Sequence, residues 1–138
     1  MIAYVDSSVI LRVVLSQPDA LGAWANIQHA VTSAITEVEC LSTLDRRLRQ
    51  GLLDVDDLAA RRHLALQLLE RMDRVDVSPM VLRRAADPFP TPLGTLNAIH
   101  LATAILWREG RVAEPILVTH DAQLATAARS VGFTTDGA

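Results

Sequence analysis

Met1-Ile2-Ala3-Tyr4-Val5-Asp6-Ser7-Ser8-Val9-Ile10-Leu11-Arg12-Val13-Val14-Leu15 opens the chain. Ile2 to Val5 is a short apolar run that reads as a buried strand ending at Asp6. Val9 to Leu15 reads as a helix stopped near Gln17-Pro18. The same grammar returns late in the chain, where Ile116-Leu117-Val118 is a buried strand and a helix runs from Asp121 to about Ser130. Each strand therefore delivers an acid at or just past its carboxyl end.

Between these two units the pattern keeps alternating. A helix is expected from about Asp19 to His29, then a second strand over Ala30-Val31-Thr32-Ser33. A helix from Thr36 carries Val38, Leu41, Leu44 and Leu48 at helical spacing and stops at Gly51. Asp54 caps the next helix, and Val75-Asp76-Val77 is a candidate third strand. Ser78-Pro79 starts another helix, and the proline-rich loop Asp87–Pro92 interrupts the pattern. From Thr95 a long apolar helix reaches about Trp107, and Phe133-Thr134 adds a last short strand. Strands alternating with helices imply βαβ units, so the fold class is α/β: a three-layer α/β/α arrangement with a short central parallel sheet. The 138 residues fit one domain, 1–138, with no repeat or linker.

Composition narrows the function. The formal net charge is −3, which argues against a protein that coats nucleic acid electrostatically, but not against a nuclease whose bound metal meets the phosphate. All the Lys+Arg positions are arginine, and the single cysteine, Cys40, excludes an intrachain disulfide and a cysteine metal cluster. Cys40 is expected to be a small buried apolar group. No apolar run reaches the ~18 residues of a membrane span, and the N-terminus lacks a signal-peptide pattern, which predicts a soluble, cytoplasmic protein.

Ligands in a doubly covered sheet collect beyond the carboxyl ends of the strands. Four segments bring polar groups there or to the helices nearby: Asp6-Ser7-Ser8, Ser33-Ala34-Ile35-Thr36-Glu37-Val38-Glu39, Leu96-Asn97-Ala98-Ile99-His100-Leu101-Ala102-Thr103-Ala104, and Thr119-His120-Asp121. Each has a local explanation too. Asp6 and Asp121 are placed to cap helices, Glu39 lies three residues after Thr36 as in a capping box, and Asn97 suits a first helical turn. Capping, however, does not require an α/β chain to gather all four at one sheet edge.

Taken in order, the four segments resemble the active-site segments of PIN-domain ribonucleases, and in particular the VapC-type toxins of bacterial VapBC toxin–antitoxin systems. The likeness lies in Asp-Ser-Ser after the first strand, an acid six residues after Ser33, the His-Leu-Ala-Thr-Ala helix, and Thr-His-Asp at the last main strand. It spans essentially the whole chain. The resemblance implies a metal-dependent endoribonuclease that hydrolyses RNA to 3′-hydroxyl and 5′-phosphate ends. Its site residues would be Asp6, Glu39, Asn97 and Asp121 as catalytic groups and Mg²⁺ or Mn²⁺ ligands, with Ser8 and Thr119 orienting the carboxylates. Hard divalent cations prefer such oxygen donors. The four side chains should then converge on one pocket at ~2.1 Å ligand distances.

Two positions need comment. Glu37 lies nearer the apolar stripe of its helix than Glu39 does, so periodicity favours Glu37 where the family register favours Glu39; we follow the register, with Glu37 pointing elsewhere. Position 97 is Asn where the family pattern has Asp. An amide ligates magnesium without charge, so the resemblance marks a form with impaired activity, whether a natural variant or a deliberate Asp→Asn change. His100 shares the helical face of Asn97 and reads chiefly as a packing histidine, with proton shuttling or phosphate contact as the other reading.

The resemblance further implies a VapB-type antitoxin whose C-terminal segment occludes the acidic site, and a homodimer. The apolar surplus fits such surfaces and a packed core equally. Arg12, Arg46, Arg47, Arg49, Arg83 and Arg84 are candidate RNA contacts and, equally, ordinary surface charges. The alternative function is a nuclease-dead RNA- or protein-binding module on the same fold, which Asn97 favours. A haloacid-dehalogenase phosphatase would need an acid at position 8, and a response-regulator receiver would need a lysine.

Overall fold

Side chains alternating along the strands build two cores, one on each face of a single sheet. Ala3, Val5 and Val118 pack on one face with Val9, Ile10, Cys40, Leu44, Ala65 and Leu69. Tyr4, Val31 and Leu117 point to the other face and meet Leu101, Ala104, Leu124, Ala128 and Phe133. This is a computed structural model, and it describes residues 1–17, 24–111 and 114–137.

The elements run β1 (Ile2–Val5), α1 (Ser7–Val14), β2 (His29–Ser33), α2 (Ile35–Arg49), α3 (Val55–Glu70), β3 (Asp73–Val75), α4 (Pro79–Ala86), α5 (Thr95–Glu109), β4 (Ile116–Val118), α6 (Ala122–Ser130) and β5 (Thr135–Asp136). The sheet order is β3-β2-β1-β4-β5 and every pairing is parallel. Helices α1, α2 and α3 cover one face. Helices α5 and α6 cover the other, with α4 packed outside α5 through Val81, Ile99 and Ala102. The architecture is the expected three-layer α/β/α fold. Because α5 lies between the sheet and α4, every residue from Ala98 to Ile105 is buried.

Strand order reverses direction between β1 and β4. The chain leaves β1 toward β2 and leaves β4 toward β5, on opposite sides of the sheet, so the connections diverge and open a crevice at the carboxyl ends. Asp6 and Thr119-His120-Asp121 stand on either side of that crevice.

Three boundaries differ from expectation. Of the helix expected from Asp19 to His29, residues 19–23 lie outside the described residues; Ala25 to Gln28 form turns and a bend rather than helix, and His29 already belongs to β2. The third strand is Asp73–Val75 rather than Val75–Val77, because its register is set by Val31↔Asp73 and Ser33↔Val75 at the sheet edge, where polar Asp73 and Arg74 remain exposed. The last strand is Thr135–Asp136 rather than Phe133-Thr134. Gly132, at φ +91°, closes α6, and Phe133 is drawn into the core before pairing with β4 begins.

Candidate active site

Asp6 is the most buried acid at the crevice, at 3 % exposure. The Ser8 hydroxyl donates to its Oδ1 at 2.6 Å and the Thr119 hydroxyl donates to its Oδ2 at 2.9 Å. Each hydroxyl is itself oriented by a backbone amide: His120 N–H donates to Ser8 Oγ at 2.9 Å and Asp121 N–H donates to Thr119 Oγ1 at 3.0 Å. The main chain after β4 thus fixes the two protons aimed at the carboxylate after β1. Burial raises the Asp6 pKa above the ordinary carboxylate range; the charge of His100 and the Ser8 and Thr119 hydrogen bonds oppose that rise, and Glu39 adds to it.

Asp121 sits across the crevice as the N-cap of α6, its Oδ1 accepting from Leu124 N–H at 3.0 Å. The local capping role is real here and leaves the second carboxylate oxygen without that duty. Asp6 occupies the N-cap position of α1 but makes no capping bond, its side chain being turned to Ser8 and Thr119. Glu39 takes no part in a capping box, since α2 begins at Ile35 with Ala34 as its N-cap.

Glu39 and Glu37 go to different places. Glu37 is half-exposed and pairs with Arg74 at 3.3 Å. Glu39 reaches the crevice, where Ser7 Oγ donates to Oε2 at 3.2 Å and His100 Nε2 lies 2.5 Å from Oε1. Glu37, which periodicity favoured, is kept out of the cleft by the packing of its helix. Helix α2 packs on both α1 and α3 and is tied to edge strand β3 through Glu37 and Arg74, so its apolar stripe does not define its only inward face. Beside Glu39, Cys40 is fully buried, and desolvation together with the charges of Glu39 and Asp6 pushes its thiol up to about 12. It is the inert packing group expected.

Asp6, Ser7, Ser8, Glu39, Asn97 and Asp121 line one cleft of about 440 Å³, completed by Gly94, Thr95, Leu96 and Gln123. Asn97 enters it from the first turn of α5. The four side chains open on one cleft as expected, although among the described residues no three His, Cys, Asp or Glu side chains are close enough to hold a metal ion by themselves. The reason is visible in the bonds above, with Asp6 held by hydroxyls, Glu39 by His100 and Asp121 by its own helix. The donor set nevertheless suits Mg²⁺ or Mn²⁺, which take oxygen ligands, keep several waters and need only one or two carboxylates.

Sequence reasoning did not join Tyr4 and His100 to Glu39. Tyr4 Oη lies 2.9 Å from His100 Nδ1, and the two rings meet edge-on at 6.0 Å. Burial, chiefly, and then the charge of Asp6 raise the Tyr4 pKa well above its usual value, so the phenol keeps its proton. Tyr4 and His100 are 96 positions apart, and no local pattern could have joined them. Ser7 had a signal, its place in Asp-Ser-Ser beside Asp6.

Comparison with known proteins identifies the family of this fold. A family model described as the PIN domain matches residues 3–130. The chain is 34 % identical over 133 residues to ribonuclease VapC46 of Mycobacterium tuberculosis, covering 94 % of this chain and 92 % of that one. It is 33 % identical over 137 residues to ribonuclease VapC35 of the same organism, with 94 % and 92 % coverage. Among solved structures, a toxin–antitoxin complex from Klebsiella pneumoniae superposes with a TM-score of 0.67 at 17 % identity, over 93 % of each chain. Mycobacterium tuberculosis VapC20, a sarcin–ricin loop cleaving toxin, superposes with a TM-score of 0.63 at 15 % identity, over 96 % of each.

Proposed function

The chain belongs to the PIN-domain family and, within it, to the VapC-type ribonuclease toxins; from that membership we propose that it is a metal-dependent endoribonuclease whose activity is held down by Asn97. The observation that carries this reading is the single cleft at the β1/β4 crevice into which Asp6, Glu39, Asn97 and Asp121 all open.

Asp6, Asn97 and Asp121 would hold Mg²⁺ or Mn²⁺ through oxygen. When bound, such a cation lowers the pKa of a water and offsets charge developing on the phosphate. The protein's own groups do the rest. Ser8 and Thr119 keep the Asp6 carboxylate in one orientation. Glu39, fixed by Ser7 and His100, presents an acceptor to the attacking water. Asn97 supplies an acceptor oxygen without charge, so the site attracts a cation less than the family's Asp would. Net charge −3 leaves the protein dependent on that cation to draw in RNA.

The partner on this reading is a VapB-type antitoxin, supported by the likeness to toxin–antitoxin complexes. Exposed Val38 and Leu96 stand beside the cleft and suit coverage by that partner, while Met80 and Leu82 on α4 suit a second copy of the chain. A nuclease-dead binding module is the second reading, and Asn97 is what favours it. Both are tested by incubating defined tRNA and rRNA fragments with the chain and with Asn97→Asp, each in EDTA and in Mn²⁺. Metal-dependent cleavage by Asn97→Asp that exceeds the parent's supports the nuclease. No cleavage by either leaves the binding module.

A further inference from the structure

His100 is 1 % exposed, in a helical stretch otherwise filled by alanine, isoleucine, leucine and threonine. An imidazole loses its hydration there, and it is stable only if both nitrogens find partners. Both do: Nε2 faces Glu39 Oε1 at 2.5 Å and Nδ1 faces Tyr4 Oη at 2.9 Å. A carboxylate only accepts, so Nε2 carries hydrogen and donates to Glu39. Tyr4 Oη and Nδ1 share the second bond, whose direction follows the protonation of the ring. The result is a chain, Tyr4 to His100 to Glu39, running from the sheet through α5 to the cleft. Ser7 holds the other oxygen of Glu39 from the start of α1 at 3.2 Å.

We propose that His100 is a positioning residue for Glu39, anchored by Tyr4, and that this strap, rather than packing alone, is why a histidine occupies that place in α5. The proposal rests on the nuclease reading of the cleft. A glutamate has three rotatable bonds, and Glu39 stands on a helix with its carboxylate at the cleft wall. Donors from α1 and α5 fix both oxygens, so the carboxylate meets water and cation in one orientation and the rotamer entropy is lost on folding, not during reaction. Partners of this kind, removed elsewhere, typically lower metal affinity or activity by roughly 10–100-fold.

The test uses the Asn97→Asp background, so that turnover is measurable, with His100→Leu, His100→Gln and Tyr4→Phe added singly. His100→Leu should lower kcat for Mn²⁺-dependent RNA cleavage by roughly 10–100-fold, raise the half-saturating Mn²⁺ concentration, and leave KM for RNA within about twofold. His100→Gln, whose amide retains a donor, should recover part of kcat, and Tyr4→Phe should fall between. A readout independent of turnover comes from the metal-free protein. A slowly exchanging, downfield imidazole N–H proton should be present in the parent and absent in Glu39→Ala. Parental kcat and Mn²⁺ dependence in His100→Leu, with only a lower melting temperature, would reduce His100 to packing and overturn the proposal. If His100→Leu does not fold, the Gln and Phe variants decide. If the background cleaves no RNA, the nuclease reading fails by itself; loss of the N–H signal in Glu39→Ala then still supports the strap, and its absence from the parent refutes it.

Discussion

Asp6 is costly to the isolated fold. Its carboxylate is buried and its pKa raised, chiefly by desolvation. An acid whose folded pKa exceeds its unfolded value binds protons more tightly when native. Its burial therefore costs nothing below the unfolded pKa of about 3.9, and stability falls as pH rises from there through the folded pKa. Asp6→Asn should accordingly melt higher than the parent in EDTA at pH 7–8, by about 2–5 °C. The gap should close by about pH 3.5. Differential scanning calorimetry at both pH values checks this, and equal melting temperatures at pH 8 would mean that the hydroxyls of Ser8 and Thr119 fully offset the desolvation. Asn97→Asp works in the opposite sense. A further carboxylate in the cleft should lower stability in EDTA, while in saturating Mn²⁺ a tenfold tighter site returns roughly 1.4 kcal/mol, or about 3–5 °C. An equal Mn²⁺ shift in both proteins would remove position 97 from the set of ligands. At this scale the sequence was readable where chemistry sits beside a strand end, as at Asp6 and Asp121. It was silent on the bond between Tyr4 and His100, which depends on two distant segments meeting.

Elements position these residues through a few buried polar ties. The Thr32 hydroxyl donates to the carbonyl of Val5 at 2.6 Å and shares a 2.7 Å bond with Thr36 Oγ1. It joins the end of β1 to β2 and the start of α2, hence the backbone before Asp6 to the helix carrying Glu39. Thr32→Val keeps the shape and removes the hydroxyl, so the buried Val5 carbonyl and Thr36 hydroxyl both lose this partner, at a cost of about 1–3 kcal/mol. We expect a melting temperature lower by roughly 3–10 °C, measured by circular dichroism. The buried strands β1 and β4 were legible as apolar runs because both faces of a parallel strand are covered. The edge strands β3 and β5 were misplaced by two residues for the converse reason. Their pairing is decided by register with a neighbour, and Asp73, Arg74 and Asp136 carry no strand signature.

For the whole molecule, charge decides how substrate arrives. A chain of net charge −3 with an acidic cleft has little long-range attraction for RNA. Single-stranded RNA should bind weakly in EDTA, with a shallow dependence on salt, because few phosphates are neutralised by arginine. Mn²⁺ should strengthen binding at least tenfold, and more so for Asn97→Asp. Fluorescence anisotropy across a salt series reads both. Tight, steeply salt-dependent binding in EDTA would instead reveal an arginine track on the surface.

The two halves of the cleft are far apart in the sequence: Thr119 closes on Asp6 across 113 positions. During synthesis the first acid emerges long before its counterpart exists. At a translation rate of about 5–20 residues per second, that interval is roughly 6–23 s. Throughout it the growing chain holds β1 without β4, and the crevice has one wall. The cleft therefore cannot assemble until Thr119 and Asp121 have emerged, and the order of synthesis itself delays the site until both of its walls exist.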